Sequence, residues 1–238
     1  MVARGLAETR SKARGLILSG RVLLAGRVMT KCGAAVRPGA EIAVAPAPRP
    51  FVSRGGEKLA GALDDLGLSV EGAVALDVGA STGGFTDCLL RRGAVHVYAV
   101  DVGRSLIADR LRRDPRVTVL EGVNFRYAGP GLIPEKVSLA TVDVSFISLR
   151  HILPPLRAFL RRGAEVVVLV KPQFEAGREF VGKGGVVRDD KKRREAVRAI
   201  ATAAAETGYV IIGEAESRVF GPKGNREVFL RLRGPGEE

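Results

Sequence analysis

From residue 73 onward, short dense runs of Val, Leu, Ile and Ala alternate with stretches whose apolar positions recur every three or four residues. The short runs read as strands buried on both faces, and the periodic stretches as the helices that cover them. Strands are expected over 73–78, 95–101, 117–121, 139–144, 165–170, 209–214 and 226–232, with helices over 84–92, 105–112, 149–161 and 190–207. This alternation predicts an α/β domain with a mainly parallel seven-stranded sheet covered on both faces. Right-handed crossovers then bring the strand carboxyl ends to one edge. The segment 215–225 has no room for a crossover helix, so the last two strands are expected to pair as a hairpin.

The first 46 residues read as a separate small α+β module. Thr9 suits the N-cap of a helix over 10–19 that stops at Gly20. Strands over 21–24 and 27–29 flank the turn Ala25-Gly26, and a third over 41–44 follows Pro38-Gly39. Residues 47–52 form a stiff, proline-bearing linker. The second domain, 53–238, opens with a helix over 54–66 capped by Ser53, with Leu59, Leu63 and Leu66 on one face and Lys58 beside them.

Composition narrows the partner class. Charged residues are 27% and hydrophobic residues 46% of the chain, as in a globular cytoplasmic protein. The run Val166-Val167-Val168-Leu169-Val170 is far short of the ~20 residues that span a bilayer, and no leader pattern follows Met1. Cys32 and Cys88 lack metal-ligand spacing and read as buried thiols of a reducing compartment. His96 and His151 form no catalytic pair. The net charge of +12 and the pI near 10.4 are the outliers, and predict attraction to a polyanion, nucleic acid ahead of membrane. Residues 1–50 hold nine Lys/Arg against Glu8 and Glu41.

The chemistry concentrates where the strands end. After the first large-domain strand comes Asp77-Val78-Gly79-Ala80-Ser81-Thr82-Gly83-Gly84-Phe85, a glycine turn running into a helix. Such a turn exposes bare backbone to a ligand. Asp101 ends the next strand, about 20 residues on, where nucleotide-binding α/β folds hold a ribose-binding carboxylate. Ser81 replaces the second glycine of G-x-G-x-x-G, so S-adenosylmethionine (SAM) is favoured over NAD, and a ligand-free βα turn stays open as the plainer reading. The backbone of 79–84 is expected against the methionine end, Asp101 on the ribose hydroxyls, and Asn124 near the adenine or serving only as a turn residue. Asp143 and Lys171 also end apolar strands, where a charge is costly unless paired or used. The loop 177–185, rich in glycine, reads equally as a flap over substrate and as a flexible connection.

Several segments, in order along the chain, carry a family likeness. They are Leu6 to Ala13 with Ile17, Gly20, Val22 and Gly26; Val52-Ser53-Arg54-Gly55-Gly56-Glu57-Lys58-Leu59; Asp77 to Thr86; and Asp143-Val144-Ser145-Phe146-Ile147-Ser148-Leu149. Val170-Lys171-Pro172-Gln173-Phe174-Glu175, Gly184-Gly185-Val186-Val187 and Gly221-Pro222-Lys223-Gly224-Asn225-Arg226-Glu227 complete them. Together they resemble the TlyA family, in which an S4 RNA-binding domain precedes an RrmJ/FtsJ-like ribose 2′-O-methyltransferase domain. The resemblance implies a Rossmann-like SAM-dependent methyltransferase fold behind an S4-like module. It implies a catalytic Lys58, Asp143, Lys171 and Glu227, with Lys171 in its neutral form accepting the proton of a ribose 2′-hydroxyl. Asp77, Gly79, Ala80, Ser81, Thr82, Gly83, Gly84, Phe85, Asp101 and Asn124 would hold SAM, and Arg4, Arg10, Lys12, Arg14, Arg21 and Arg54 would hold RNA. The implied substrate is a cytidine of 23S, and in some members 16S, ribosomal RNA.

This chain departs from the family pattern in three places: the first S4 helix is nearly absent, Phe51 stands where some relatives have Trp, and the loop 177–183 differs. The alternatives are a non-enzymatic ribosome-assembly factor and, from the family's haemolysin label, a membrane-active protein. Base N-methylation is disfavoured, because Asp143-Val144-Ser145-Phe146 lacks the prolines of amine-methylating enzymes.

Overall fold

The computed structural model describes residues 1–46 and 50–234. Two compact units divide the chain, Met1–Arg49 and Pro50–Glu238; part of the expected linker, 47–49, lies outside the described residues.

In the first unit a 3-10 turn over Val2–Arg4 leads to helix α1 (Arg10–Leu18). The Thr9 hydroxyl accepts from the Lys12 amide at 3.1 Å, so the cap forms as expected. Strands β1 (Val22–Leu24), β2 (Arg27–Met29) and β3 (Ile42–Val44) make an antiparallel sheet in the order β2-β1-β3. Ala25 and Gly26 both have positive φ, 46° and 76°, as a two-residue hairpin turn that follows strand twist requires.

The second unit begins with α2 (Arg54–Asp65), then β4 (Val74–Val78), α3 (Gly84–Arg91), β5 (His96–Asp101), α4 (Asp109–Arg112), β6 (Val117–Glu121) and β7 (Val137–Val142). It continues through α5 (Leu153–Leu156), β8 (Leu160–Val170), α6 (Pro172–Glu175), α7 (Asp190–Glu206), β9 (Val210–Glu216) and β10 (Val228–Arg233). The sheet order is β6-β5-β4-β7-β8-β10-β9. The strands from β4 to β8 pair in parallel, and β10 is antiparallel to both β8 and β9. Alternate residues feed two cores. Leu76, Val78, Val166 and Val168 pack with α5 and α7 residues such as Leu153 and Ile200. Ala75, Val97, Val167, Leu169 and Phe229 pack with Leu59, Leu63, Phe85 and Leu89 of α2 and α3.

Three expected elements change. The helix expected over 105–112 shrinks to α4, because Ser105 sits at φ 56° and Ala108 is extended at ψ 137°, so helical backbone begins only at Asp109. The helix expected over 149–161 breaks into a 3-10 turn, the single turn α5 and another 3-10 turn, and its last two residues, 160–161, already belong to β8. Pro154 and Pro155 have no amide to donate to a preceding turn, so a helix can start at them but not run through them. Ser53 stands at the α2 N-cap without a side-chain bond to the helix. Its hydroxyl faces Gly84 instead: a Cβ on Gly84 would lie 2.2 Å from Ser53 Oγ and 2.9 Å from the Gly56 amide. Helices α2 and α3 therefore meet at their N-termini through glycine, which places Lys58 just beyond the crossing.

Gly56 tests that contact. A Cβ there would fall 2.3 Å from Phe51 Cγ and 2.8 Å from the Gly84 carbonyl oxygen, so overpacking should cost Gly56→Ala about 1–3 kcal/mol and lower the melting temperature by several degrees. Gly15→Ala, in the exposed interior of α1 with open space around it, should instead stabilise its helix by about 0.5–1 kcal/mol. Thermal denaturation of the two full-length variants reads both signs.

Candidate active site

Sheet register brings the strand-end charges together. Val228 pairs with Val170, so the residues just outside that pair, Glu227 and Lys171, leave the sheet at the same edge. Val142 pairs with Val78 and Val168, which puts Asp143 there too. Lys58 reaches the edge from α2, and its Nζ lies 2.5 Å from Glu227 Oε2. Lys171 Nζ lies 2.6 Å from Asp143 Oδ1 and 2.9 Å from Ser145 Oγ. The four residues thus form two ion pairs. Lys58 and Lys171 are buried, Glu227 is 1% exposed, and Asp143 is half-buried. Breaking one such pair would strand a buried charge at a cost of several kcal/mol. Among the described residues three buried oxygens here, Asp143 Oδ1, Gln173 Oε1 and Glu227 Oε1, have no hydrogen-bond donor, although Asp143 Oδ1 has its ion-pair contact with Lys171; each keeps acceptor capacity for a ligand.

A cavity of about 520 Å³ lies beside the glycine turn. Its wall combines apolar Val100, Val123, Phe125 and Ile152 with Gly79, Ser81, Asp101, Asn124, Asp143 and Ser145. A largely apolar wall carrying two carboxylates suits a ligand that joins a flat ring and hydroxyls to a positive charge. SAM has that make-up.

The turn itself is used differently from the expectation. Asp77 is 0% exposed. Thr86 donates to its Oδ2 at 2.7 Å and Thr141, directly opposite on β7, to its Oδ1 at 3.1 Å. Asp77 is therefore sealed between α3 and β7 and does not face the cavity. Burial pushes its carboxyl up to about 7, against the two hydroxyl donors. The Gly79 and Ala80 amides are both taken by the Val100 carbonyl, at 2.8 and 3.1 Å. Gly79 (φ 86°) is glycine because a Cβ would sit 2.5 Å from the Asp143 carbonyl oxygen, and Gly83 (φ 90°) because one would meet Leu111 Cδ1 at 2.3 Å. Ala80, Thr82, Gly83, Gly84 and Phe85 are not on the cavity wall; they build the turn and its helix. Of the cofactor residues expected from sequence, the wall keeps Gly79, Ser81, Asp101 and Asn124. The Asp101 carboxylate accepts from the Ser81 and Gly103 amides, both at 2.7 Å, and has lone pairs left for hydroxyl donors. The Asn124 side chain caps a 3-10 turn by accepting from the Arg126 amide and also borders the cavity.

Sequence reasoning missed Phe146, Phe174 and Glu175 as site residues. Phe146 is 91% exposed and holds φ 64°, a strained setting for an aromatic residue. Its ring packs on Phe174 at 5.2 Å, and the Phe174 ring lies 5.9 Å from Lys171 Nζ. The signal in the sequence was a phenylalanine three residues after the strand-end Asp143, where periodicity gives it no inward face. Glu175 accepts from Ser148 Oγ at 2.5 Å and the Leu149 amide at 2.9 Å, tying the Lys171 loop to the Asp143 loop; burial pushes its carboxyl up.

The expected RNA contacts separate into two kinds. Arg10, Lys12 and Arg14 are exposed on α1, and Arg54 on α2. Arg4 donates to the Ala40 carbonyl at 2.6 Å and Arg21 to the Ala45 carbonyl at 3.0 Å, so both also brace the first unit. Cys88 is buried as expected, whereas Cys32 is exposed.

The strand order, the antiparallel penultimate strand and the cavity at the first βα turn define a Rossmann-like methyltransferase. The FtsJ-like methyltransferase model matches residues 51–234 and the S4 domain model residues 1–42, and the chain belongs to the FtsJ-like methyltransferase family. It is 47% identical over 234 residues to the 16S/23S rRNA (cytidine-2′-O)-methyltransferase TlyA of Mycobacterium tuberculosis, covering 98% of this chain and 87% of that protein. It is 39% identical over 231 residues to Hemolysin A of Brachyspira hyodysenteriae, covering 97% and 96% respectively. A solved Streptococcus thermophilus structure that carries the name hemolysin is 42% identical, with a TM-score of 0.77 over 97% of this chain and 84% of that one. Among the described residues no helix is long and apolar enough to cross a membrane.

The buried Asp77 gives a pH signature. Its folded value near 7 lies above the ordinary 3.8, so between those values the folded protein holds a proton that the unfolded chain has lost. Stability therefore falls as pH rises through that window, by up to about 4 kcal/mol, and is level above it. Asp77→Asn should abolish this contribution: in chemical denaturation at pH 4 to 8, the stability difference between variant and wild type should move in favour of the variant up to about pH 7 and then stay constant.

Proposed function

We propose that this chain transfers the methyl group of SAM to the ribose 2′-hydroxyl of a cytidine in ribosomal RNA, with Lys171 taking the hydroxyl proton. The observation that carries this reading is Lys171 Nζ held between Asp143 Oδ1 and Ser145 Oγ, two residues of the cavity wall at the glycine turn. The activity printed for the M. tuberculosis relative supports the RNA target, as do the S4 domain and the net charge of +12.

SAM supplies a methyl group activated by the positive charge on its sulfur. Everything else falls to the protein. A ribose hydroxyl is a weak acid, so the attacking oxygen must shed its proton to a nearby base as the new bond forms. Lys171 is that base once it has released its own proton. Asp143 is shared between Lys171 and the cavity wall, so the same carboxylate orients the lysine and faces a cation bound in the cavity. Glu227 holds Lys58, and its unpartnered Oε1 is the acceptor left for the ribose. Phe146, exposed and braced by the tilted ring of Phe174, offers a platform for a base turned out of its RNA stack.

Lys171→Ala should lower transfer by at least about 10²-fold while SAM still binds in titration calorimetry; wild-type turnover across the pH range would remove the base assignment. Phe146→Ala should leave SAM affinity unchanged and weaken productive RNA binding by about 1–3 kcal/mol, the value of one stacked base, read as KM for unmodified ribosomal subunits. Mapping ribose methylation in RNA from cells with and without the protein identifies the nucleotide.

A further inference from the structure

Two glycine-bearing segments near the site have no part in the chemistry above: the turn 182–187 and the loop 221–226 that leads to Glu227. They meet on one side chain. Asn225 is 2% exposed. Its Nδ2 donates to the Gly185 carbonyl at 2.8 Å, and its Oδ1 accepts from the Val187 amide at 3.1 Å. One side-chain amide thereby pairs with a stretch of backbone as a neighbouring strand would, donor to carbonyl and acceptor to amide. The gripped turn is closed by its own bonds, Gly182 amide to Val186 carbonyl at 3.0 Å and Gly185 amide to Gly182 carbonyl at 2.9 Å. Val187 anchors it, 1% exposed.

On its own side, Asn225 shapes the loop that presents Glu227. Its carbonyl accepts from the Gly221 amide at 2.9 Å, and the loop closes through Lys223 and Gly224 at φ 58° and 88°. Gly221 then lies against the Glu227 carboxylate so closely that a Cβ would come 2.1 Å from Oε1. Two residues beyond Asn225, the other oxygen of Glu227 holds Lys58. The chain of contact runs from the 182–187 turn through Asn225 and Gly221 to the Glu227 carboxylate.

We propose that Asn225 is a positioning residue for methyl transfer: by clasping Gly185 and Val187 it fixes Gly221 against Glu227 and so aims the Lys58–Glu227 pair at the target ribose. This rests on the reading of Glu227 as a ribose-facing group. It predicts a defect in rate rather than in binding, since Asn225 lies on neither the glycine turn nor the cavity wall.

The test compares full-length wild type, Asn225→Ala, Asn225→Asp, Glu227→Gln and the Asn225→Ala/Glu227→Gln double variant. SAM affinity, melting temperature and single-turnover methylation of unmodified ribosomal subunits are measured for each. Asn225→Ala should lose roughly 10- to 100-fold in rate with SAM affinity and KM for the subunits within about twofold of wild type, a margin on the order of 0.4 kcal/mol. Asn225→Asp keeps the acceptor for Val187 and should recover part of that rate; if the Ala variant does not fold, the Asp variant carries the same comparison. In the Glu227→Gln background the Asn225→Ala change should cost little more, because residues acting as a unit are not additive. A wild-type rate for Asn225→Ala, a parallel loss of SAM binding and thermal stability, or full additivity with Glu227→Gln overturns the proposal. A wild-type rate for Glu227→Gln itself overturns the prior reading of Glu227, an outcome separate from the others.

Discussion

Four ionisable side chains share the dry edge of one sheet, and none could be there alone. An isolated charge taken out of water costs several kcal/mol even after relaxation, so each lysine must find a carboxylate before the fold is stable. Lys58 finds Glu227 at 2.5 Å and Lys171 finds Asp143 at 2.6 Å. The pairing fixes more than the charges. Lys58 belongs to α2, so its bond pins that helix over β10, while Arg218 on Asp65 and Arg231 on the Leu66 carbonyl hold the other end of the helix. Electrostatic need and helix position are one constraint.

A second buried carboxylate works in the opposite sense. Asp77 has no cationic partner among the described residues; it sits among hydroxyls, with its proton favoured by burial. It ties β4, β7 and α3 at the point where the chain turns over the cavity. The glycines of that turn answer to the protein as much as to any ligand, since Gly79 and Gly83 are pressed by Asp143 and Leu111. The conformation that leaves the cavity open is thus held by packing behind it.

What the sequence made legible follows from period and sterics. Apolar runs such as 97–100 and 166–170 gave their strands because a sheet covered on both faces buries every residue of its inner strands, and Thr9 gave its cap because a hydroxyl there has one obvious donor to meet. The helix over 149–161 was misjudged because apolar spacing outweighed two adjacent prolines. The site was legible as a set of residues and not as a geometry. Lys58 and Glu227 are 169 positions apart, and no local rule says which lysine takes which acid. Phe146 was missed because large apolar residues are normally buried, and its 91% exposure is a property of the loop alone. Asp77 was placed with the cofactor because its position beside the turn was visible, whereas its inward face, set by the register with Thr141, was not.

Strand β10 enters the sheet between β8 and β9, against the direction of β8 and next to the strand that carries Lys171. Glu227, just ahead of it, therefore leaves the ribosome after Lys58, Asp143 and Lys171 during synthesis. Until it emerges, Lys58 has no Glu227 to pair with, and β9 lacks the strand it pairs with in the sheet. A nascent chain of this protein cannot close the Lys58–Glu227 pair early, however well its glycine turn has formed; the pair arrives with the β9–β10 hairpin.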